Sequence, residues 1–410
     1  MNYPVFIPYL VARACMTLAD TILSVAIGWH LYRLTGDPFD LALVGLVQIT
    51  PMLALFFITG WVVDNTPRKL VLALCAITET AVLLGLALTM QQQLDGTRSL
   101  IFTLLFLHGC ARAFFGPALQ AILPNIVSRE ALSRAVAITT TVWNAAATAG
   151  PFFAGLLLAW LDLGTYWVLA LLSFVGAVLF FRLPRLQHVR PVEKGWRQVL
   201  SGITFIRHSP FVLGSITLDL LVVLVGSVMA LLPVYAVDIL KVGPEALGLL
   251  RGMPALGAVM VGIVMAKLPP LRHSGNALFA ALALFSVSIL VFAFSTQLWL
   301  SLVALWVYGA TDMVSVNIRG TLVQLATPDS LRGRVGAVNS IFIATSNKLG
   351  DFRAGSVAAL LPPVAAVALG GVMAMVVTIA GAYAFPRVRK LDRLTDADIE
   401  KAETGPTVSS

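Results

Sequence analysis

Charge is what this chain has least of. Only 12% of its 410 residues are Asp, Glu, Lys or Arg, against 58% hydrophobic ones, and the mean hydropathy is +0.89. So little charge cannot coat a globule in polar surface, which excludes an ordinary water-soluble domain and points to the bilayer. Cysteine is also scarce. Cys15, Cys75 and Cys110 lie within apolar runs and share no paired spacing, so neither a disulfide framework nor a metal site is expected, and they read as packing residues. Strand-period alternation is missing, which excludes a membrane β-barrel. No phosphate loop, HExxH or G-x-S-x-G pattern occurs, so no ATP site, no cofactor and no enzyme is expected. The five histidines are scattered, and His188, His208 and His273 fall in polar stretches.

What is abundant is long apolar sequence. Runs of about 20 residues, each long enough to cross a hydrocarbon core of roughly 30 Å as a helix, recur from end to end. Twelve are read, at 5–33, 41–63, 70–90, 99–123, 131–161, 164–182, 209–238, 244–267, 276–295, 298–326, 333–360 and 363–385. The first carries Arg13 and Asp20 and no small-residue cleavage site, so it reads as a retained helix rather than a signal peptide. The formal charge of +8 does not indicate a nucleic-acid partner. The basic residues gather in alternate loops and in the tail, leaving Arg33, Arg98 and Lys241 on the opposite side, so the positive-inside rule puts both termini in the cytoplasm.

The longest polar interruption divides the runs into six and six. The expected domains are a six-helix bundle at 1–182, a cytoplasmic linker at 183–208, a second bundle at 209–385 and a disordered tail at 386–410. The linker is read as holding a short amphipathic helix on which Trp196, Val199, Leu200, Ile203 and Ile206 share one face. The halves look alike. SREAL (128–132) precedes GPFFAG (150–155) in one, and TPDSL (327–331) precedes GDFRAG (350–355) in the other. Both openings read as a capping hydroxyl with an acid in the first helical turn, and Pro328 as a first helical residue. Parallel six-span repeats with a site at their interface are a standard transporter architecture.

Between the second and third runs stands GWVVDNTPRKL (60–70). Asp64 falls where a helix ends, Pro67 enforces a turn, and Arg68 with Lys69 anchor the next helix at the phosphate layer. The order of Gly60, Asp64, Arg68 and Lys69 resembles the signature of the major facilitator superfamily, with Val63, Asn65 and Pro67 departing from it. The resemblance implies a cytoplasmic gate in which these residues pair with neighbouring helix ends; a positive-inside anchor with no gating role is the alternative. ARAFFGPALQAILPNIVSREAL (111–132), LLPVYAVDIL (231–240), GPEALGLLRGMPALGA (243–258) and TLVQLATPDSLRGRVGAVNS (321–340) resemble the twelve-span efflux branch that includes enterobactin exporters and macrolide efflux pumps. AATAGPFFAG (146–155) is similar to the antiporter motif, with Ala146 and Ala154 in place of glycines. That makes Gly150, Pro151 and Gly155 a helix-packing hinge, and ordinary small-residue packing is the other reading.

Ionised groups inside a span are costly and so become candidates for function. Arg13 and Asp20 are seven apart and face one way. Asp20 matches an acidic position of the branch and is expected to accept a proton or a cationic substrate, or else to form a salt bridge with a neighbouring helix. Asp312 and Arg319 are again seven apart, with Asn317 beside them, and Lys348, Asp351 and Arg353 crowd NKLGDFRAG (347–355). These form either a cavity for an anionic or zwitterionic cargo or a structural network. Arg112 and Arg251 match arginines of the branch, while Glu79 and Asp219 are less anchored by resemblance. Asn144, Trp29, Trp143, Phe114 and Phe115 offer contacts for a large amphipathic molecule, or else core packing. The cavity set is thus Arg13, Asp20, Arg112, Asn144, Asp312, Arg319 and Asp351.

The resulting expectation is an all-α membrane protein of two pseudo-symmetric six-helix bundles. It acts as a secondary active transporter, a proton-coupled antiporter exporting a siderophore-like or drug-like molecule. Its partners are the small-molecule substrate, protons and membrane lipid; it is read as a monomer in a bacterial inner membrane. Uptake, lysophospholipid flipping, or a non-transporting sensor or enzyme are the alternatives.

Overall fold

A computed structural model describes residues 3–92, 96–128, 130–184, 196–268, 273–329 and 331–391. The expected tail beyond 391 and the linker residues 185–195 lie outside them. The described residues form helices and no strand: α1 (Tyr3–Thr35), α2 (Pro38–Ala54), α3 (Phe56–Asn65), α4 (Arg68–Gln92), α5 (Thr97–Ile126), α6 (Leu132–Leu161), α7 (Thr165–Arg182), α8 (Trp196–His208), α9 (Pro210–Gly226), the single turn α10 (Leu232–Val234), α11 (Pro244–Lys267), α12 (Ser274–Phe294), α13 (Leu298–Ala326), α14 (Arg332–Ala358), α15 (Pro363–Ala384) and α16 (Pro386–Arg389). Prolines sit inside several of them, at Pro8, Pro51, Pro117, Pro124, Pro151 and Pro254. Helices at membrane depth tolerate them because neighbours re-satisfy the freed backbone groups.

Of twelve expected spans, nine stretches among the described residues are apolar and long enough to cross a membrane, or ten if Pro38–Ala54 and Ile58–Asn65, bent by 61°, make one. Two causes account for the difference. Leu132–Arg182 runs as one apolar stretch of 51 residues, because only the 3₁₀ turn Asp162–Gly164 interrupts it and no polar run does. And α14 is too polar to qualify, with Asn339, Ser340, Thr345, Ser346 and Asn347 beside Lys348 and Asp351.

The repeated openings also differ from expectation. α6 and α14 begin at Leu132 and Arg332, with Ala131 and Leu331 as N-caps and no side-chain cap. Backbone turns from Ser128 and Pro328 come first, so Pro328 stands outside the helix. The Thr327 hydroxyl donates back to the Val323 carbonyl at 2.5 Å, closing the end of α13.

The chain divides into two compact units, Met1–Glu193 with Ala236–Gly252, and Lys194–Tyr235 with Met253–Ser410. In the first, α1 packs on α2, α6 and α7, while α4 packs on α5 and α7. Its core gathers Phe6, Tyr9, Met16, Leu72, Phe115, Ile122 and Phe180. Phe115 meets Phe180 edge-on, with centroids 5.9 Å apart. Ala236–Gly252 belongs here because its glycines fit α6: a Cβ at Gly248 would lie 2.6 Å from the Pro151 carbonyl oxygen and 2.7 Å from the Gly155 Cα. The Tyr32 hydroxyl ties the same segment to α1 by donating to Asp238.

In the second unit α9 packs on α13, α14 and α15, and α12 on α13 and α15. α8 lies on α14, where a Cβ at Gly202 would come within 3.0 Å of the Arg334 carbonyl oxygen. Of the face expected to meet the membrane, Ile206 is instead buried against Val212, Ile216, Leu322, Val335 and Val338, while Ile203 is exposed; the side chains of Trp196, Val199 and Leu200 lie outside the description. The outer surface of the molecule carries exposed Trp61, Trp160, Phe294 and Tyr383, as suits contact with lipid.

Gly150 allows α1 and α6 to touch, since a Cβ there would lie 2.7 Å from the Thr21 Cβ. Gly150→Leu is expected to destabilise the detergent-solubilised chain by about 1–3 kcal/mol, the usual cost of overpacking. Gly116→Ala, where a Cβ meets nothing within 4 Å, should not. Thermal melts of the two variants check this.

Candidate functional site

Three helices of the first unit bring ionisable side chains together. On α5, His108 and Arg112 are four residues apart and stack one turn above another; on α4, Cys75 and Glu79 do the same. Asp20 of α1 reaches across to α5 with both oxygens: Oδ2 accepts from Arg112 Nη2 at 2.9 Å, and Oδ1 lies 3.3 Å from His108 Nε2. The Arg112 guanidinium also lies over the Phe115 ring, 5.3 Å from its centroid. Glu79 is buried behind this group, within electrostatic reach of His108, Arg112 and Asp20. The Asp20 side chain is 31% exposed and that of His108 only 4%, so the cluster has a wet end and a dry end.

Arg13, expected to line the same cavity, lies two turns earlier against Tyr9. Asn144 is exposed on α6, and Trp143 with it. Trp29 and Phe115 are buried, so of the aromatic set these two are core residues. Arg251 reaches toward the Ser24 hydroxyl at 3.5 Å.

The second unit pairs its charges differently. Asp219 of α9 and Arg319 of α13 are both buried, with Oδ2 and Nη1 3.0 Å apart, and Nη1 also points to the Asn339 side-chain oxygen at 3.5 Å. Asp312, two turns before Arg319, lies within electrostatic reach of both partners. Asp351 and Arg353 converge on one residue just past α9: the Ser227 hydroxyl donates to Asp351 Oδ1 at 2.6 Å, and Arg353 Nη2 donates to the Ser227 carbonyl at 3.2 Å. Gly350 lets α14 approach there, since a Cβ would lie 2.9 Å from the Ser227 Cβ.

The basic pair of GWVVDNTPRKL binds helix ends. Arg68 Nη1 donates to the Ala121 carbonyl at 2.8 Å and to the Asn125 side-chain oxygen at 2.6 Å, in the last turn and a half of α5. Lys69 Nζ donates to the Leu183 carbonyl at 2.9 Å, at the end of α7. Lys69 takes the carbonyl of the α7 C-cap, which the helix leaves open, and both cations lie near the negative dipole end of a helix. Gly60 stands in open space, and Asp64 is half-buried near the end of α3.

Sequence reasoning therefore found Asp20, Arg112 and Arg319 but not all of their partners. His108 was passed over among scattered histidines, although its i,i+4 spacing to Arg112 in HGCAR (108–112) was a readable signal. Asp219 and Glu79 carried none beyond their presence in apolar runs.

Removing one member of a buried pair strands the other. Arg319→Ala is expected to destabilise the protein by about 3–5 kcal/mol by leaving Asp219 uncompensated, and the combined Asp219→Asn/Arg319→Gln change to cost less. A double-mutant cycle on unfolding free energies measures both.

Comparison with known proteins gives these arrangements a family. The chain matches the transmembrane secretion effector family over residues 1–408. It is 26% identical over 376 residues to the enterobactin exporter EntS of Escherichia coli O1:K1 / APEC, covering 90% of this chain and 89% of that protein, and equally similar to EntS of Escherichia coli O9:H4 (strain HS). Among solved structures it resembles a bacterial homologue of the iron transporter ferroportin in an inward-facing state (TM-score 0.72, 16% identity, covering 95% of this chain and 100% of that one). It also resembles a bacterial homologue of the human lysosomal transporter Spinster (TM-score 0.70, 14% identity, 98% of each chain). At those identities the structures show the fold alone. The chain belongs to the transmembrane secretion effector family of the major facilitator superfamily, and is a multi-pass membrane transporter of small molecules.

Proposed function

We propose that this transporter exports a small amphipathic molecule, siderophore-like or drug-like, in exchange for protons. The observation that carries the reading is the bridge from Asp20 to Arg112 and His108 between α1 and α5. An ionised Asp20 holds the two helices together. A proton on that carboxyl, or a substrate group competing for Arg112, weakens the hold, so proton and cargo act on the same contact in opposite phases. The name of the EntS relatives, enterobactin exporter, supports the direction and suggests a siderophore-like cargo.

In this reading the working parts are two six-helix bundles, 1–182 and 209–385, joined by the segment 183–208 and alternating in access to the two sides. The count of twelve crossings is supported by length. A helical stretch of 51 residues is about 75 Å long, more than twice the roughly 30 Å core, so Leu132–Arg182 divides at its 3₁₀ turn into two. α14 is then a crossing whose charges turn toward protein rather than lipid. Asp64, Arg68 and Lys69, with Gly60 leaving room, bias the cytoplasmic gate through the ends of α5 and α7. Gly150, Pro151 and Gly155 form the hinge at which α6 slides on its neighbours. Asp312, Arg319, Asp351, Arg13 and Asn144 complete the set proposed to line the path. The basic loops support cytoplasmic termini and a bacterial inner membrane. A monomer surrounded by lipid is sufficient for all of these steps.

Inside-out vesicles with an acid interior test the reading, with enterobactin and ethidium as probes. Wild-type protein is expected to accumulate at least one probe while the gradient lasts and to lose it when the gradient is collapsed. Asp20→Asn should retain exchange of labelled for unlabelled probe but lose gradient-driven accumulation. Accumulation untouched in Asp20→Asn would remove that residue from the mechanism.

A further inference from the structure

The charges around Asp20 do not balance. Two carboxylates, Asp20 and Glu79, face one guanidinium, Arg112, and with His108 neutral the cluster keeps one negative charge in excess within a helix bundle at membrane depth. Its hydrogen bonds do not balance either. With Nε2 of His108 donating to Asp20, the ring's Nδ1 is an acceptor. That atom and Oε1 of Glu79 are both buried with no hydrogen-bond partner among the described residues. One proton would remove the surplus negative charge and turn one of these two acceptors into a donor.

We propose that the proton exchanged during transport resides on Glu79 and His108, and that Asp20 is its entry rather than its seat. This rests on the proton-coupled export proposed above. Asp20 is the partly exposed acid of the cluster, with the Arg112 side chain partly exposed beside it, Glu79 is the sealed one, and His108 is buried between them with one ring nitrogen on Asp20 and the other unpartnered. An imidazole can accept a proton at one nitrogen and release one from the other. Starting from the ring's other tautomer, with its proton on Nδ1, a proton arriving at Asp20 passes to His108 Nε2, the ring releases its Nδ1 proton to the Glu79 carboxylate, which becomes a carboxylic acid, and Nε2 is left as the donor to Asp20. Release runs the same steps backwards, and no other reactant is needed.

The titratable and charged groups facing Glu79 are Asp20 from α1, His108 and Arg112 from α5, and Cys75 from its own helix. α7, packed along α4, carries titratable groups only at its ends, Tyr166 and Arg182. The Arg112 guanidinium beside Asp20 favours its anion, so that carboxyl carries the proton, and loosens its hold, only in transit, and Glu79 with His108 keeps it. The cluster therefore alternates between a neutral, donor-complete form and an anionic form in which Glu79 needs a new partner, a change large enough to bias two conformations.

Infrared difference spectra of the purified full-length protein, recorded as the pH is lowered, read protonation without needing a cargo. Wild type is expected to show the C=O stretch of a newly protonated buried carboxyl; Glu79→Gln should lose it, and Asp312→Asn should keep it. If Glu79→Gln does not fold, Glu79→Asp serves instead, because its band and midpoint must both move. A band that survives in Glu79→Gln, stays put in Glu79→Asp, or disappears in Asp312→Asn overturns the placement. A pH-independent band does so too, because it would mark a structural acid. Wild-type vesicles indifferent to a pH gradient overturn the coupling on which the placement rests, while the spectra still report whether Glu79 titrates.

Discussion

An ionised side chain inside a bilayer must find a partner in its own protein, and much of this molecule is arranged around that requirement. Insertion of one such group costs roughly 2.5–3.5 kcal/mol, whereas hydrogen bonds between membrane helices return on average about 0.6 kcal/mol. Pairing therefore limits a loss and does not drive assembly. Asp20 with Arg112 and His108, and Asp219 with Arg319, join helices that are distant in sequence, and each bond settles which helices lie together and at what height. Apolar residues at these positions would hold the bundle at least as well. That the chain keeps charges there is an argument that they serve transport.

Close packing supplies the attraction that charge does not. Lipid tails are as apolar as Leu, so helices in a membrane gain from backbone approach rather than from burial. Glycine supplies it at the contacts that matter: Gly150 against Thr21 on α1, Gly155 against Gly248, and Gly350 against Ser227. The same small residues that the sequence shows as an antiporter-like motif are thus also plain packing contacts, and the two readings are compatible. A helix held by small flat surfaces can shift along them at low cost, which bulky interlocking side chains would prevent.

Much of this was legible in the sequence, for a physical reason. Lipid imposes its length and polarity on each crossing separately, so apolar runs and the turn at Pro67 are local signals and stand in the structure, whereas the partners of Arg68 and Lys69, on α5 and just past α7, were not local. Partners across helices are not local. Nothing in the neighbourhood of Asp219 or Glu79 distinguishes a paired acid from an isolated one. His108 looked like one of five scattered histidines until α1 was seen to lie opposite it. The helix caps failed for a smaller version of the same reason: backbone turns from Ser128 and Pro328 intervene, so α6 and α14 start at Leu132 and Arg332, after the residues read as their caps. Span counting failed where polarity and continuity masked a boundary, at α14 and at the turn after α6.

The two buried charge groups differ in one respect that bears on how a proton moves. In the second unit Asp219 and Arg319 are both sealed, and their bond is direct, so neither member offers water a first foothold. In the first unit the acid that meets the guanidinium is partly wet, and an imidazole links it to a second, dry acid. Proton transfer needs a path as well as a site, and side chains that can donate and accept in turn are what make one. By that criterion the cluster of α1, α4 and α5 has the parts of a proton path, and the direct Asp219–Arg319 pair does not. In the proton-coupled cycle proposed above, the first unit would sense the gradient and the second would keep a buried ion pair for helix packing or for cargo.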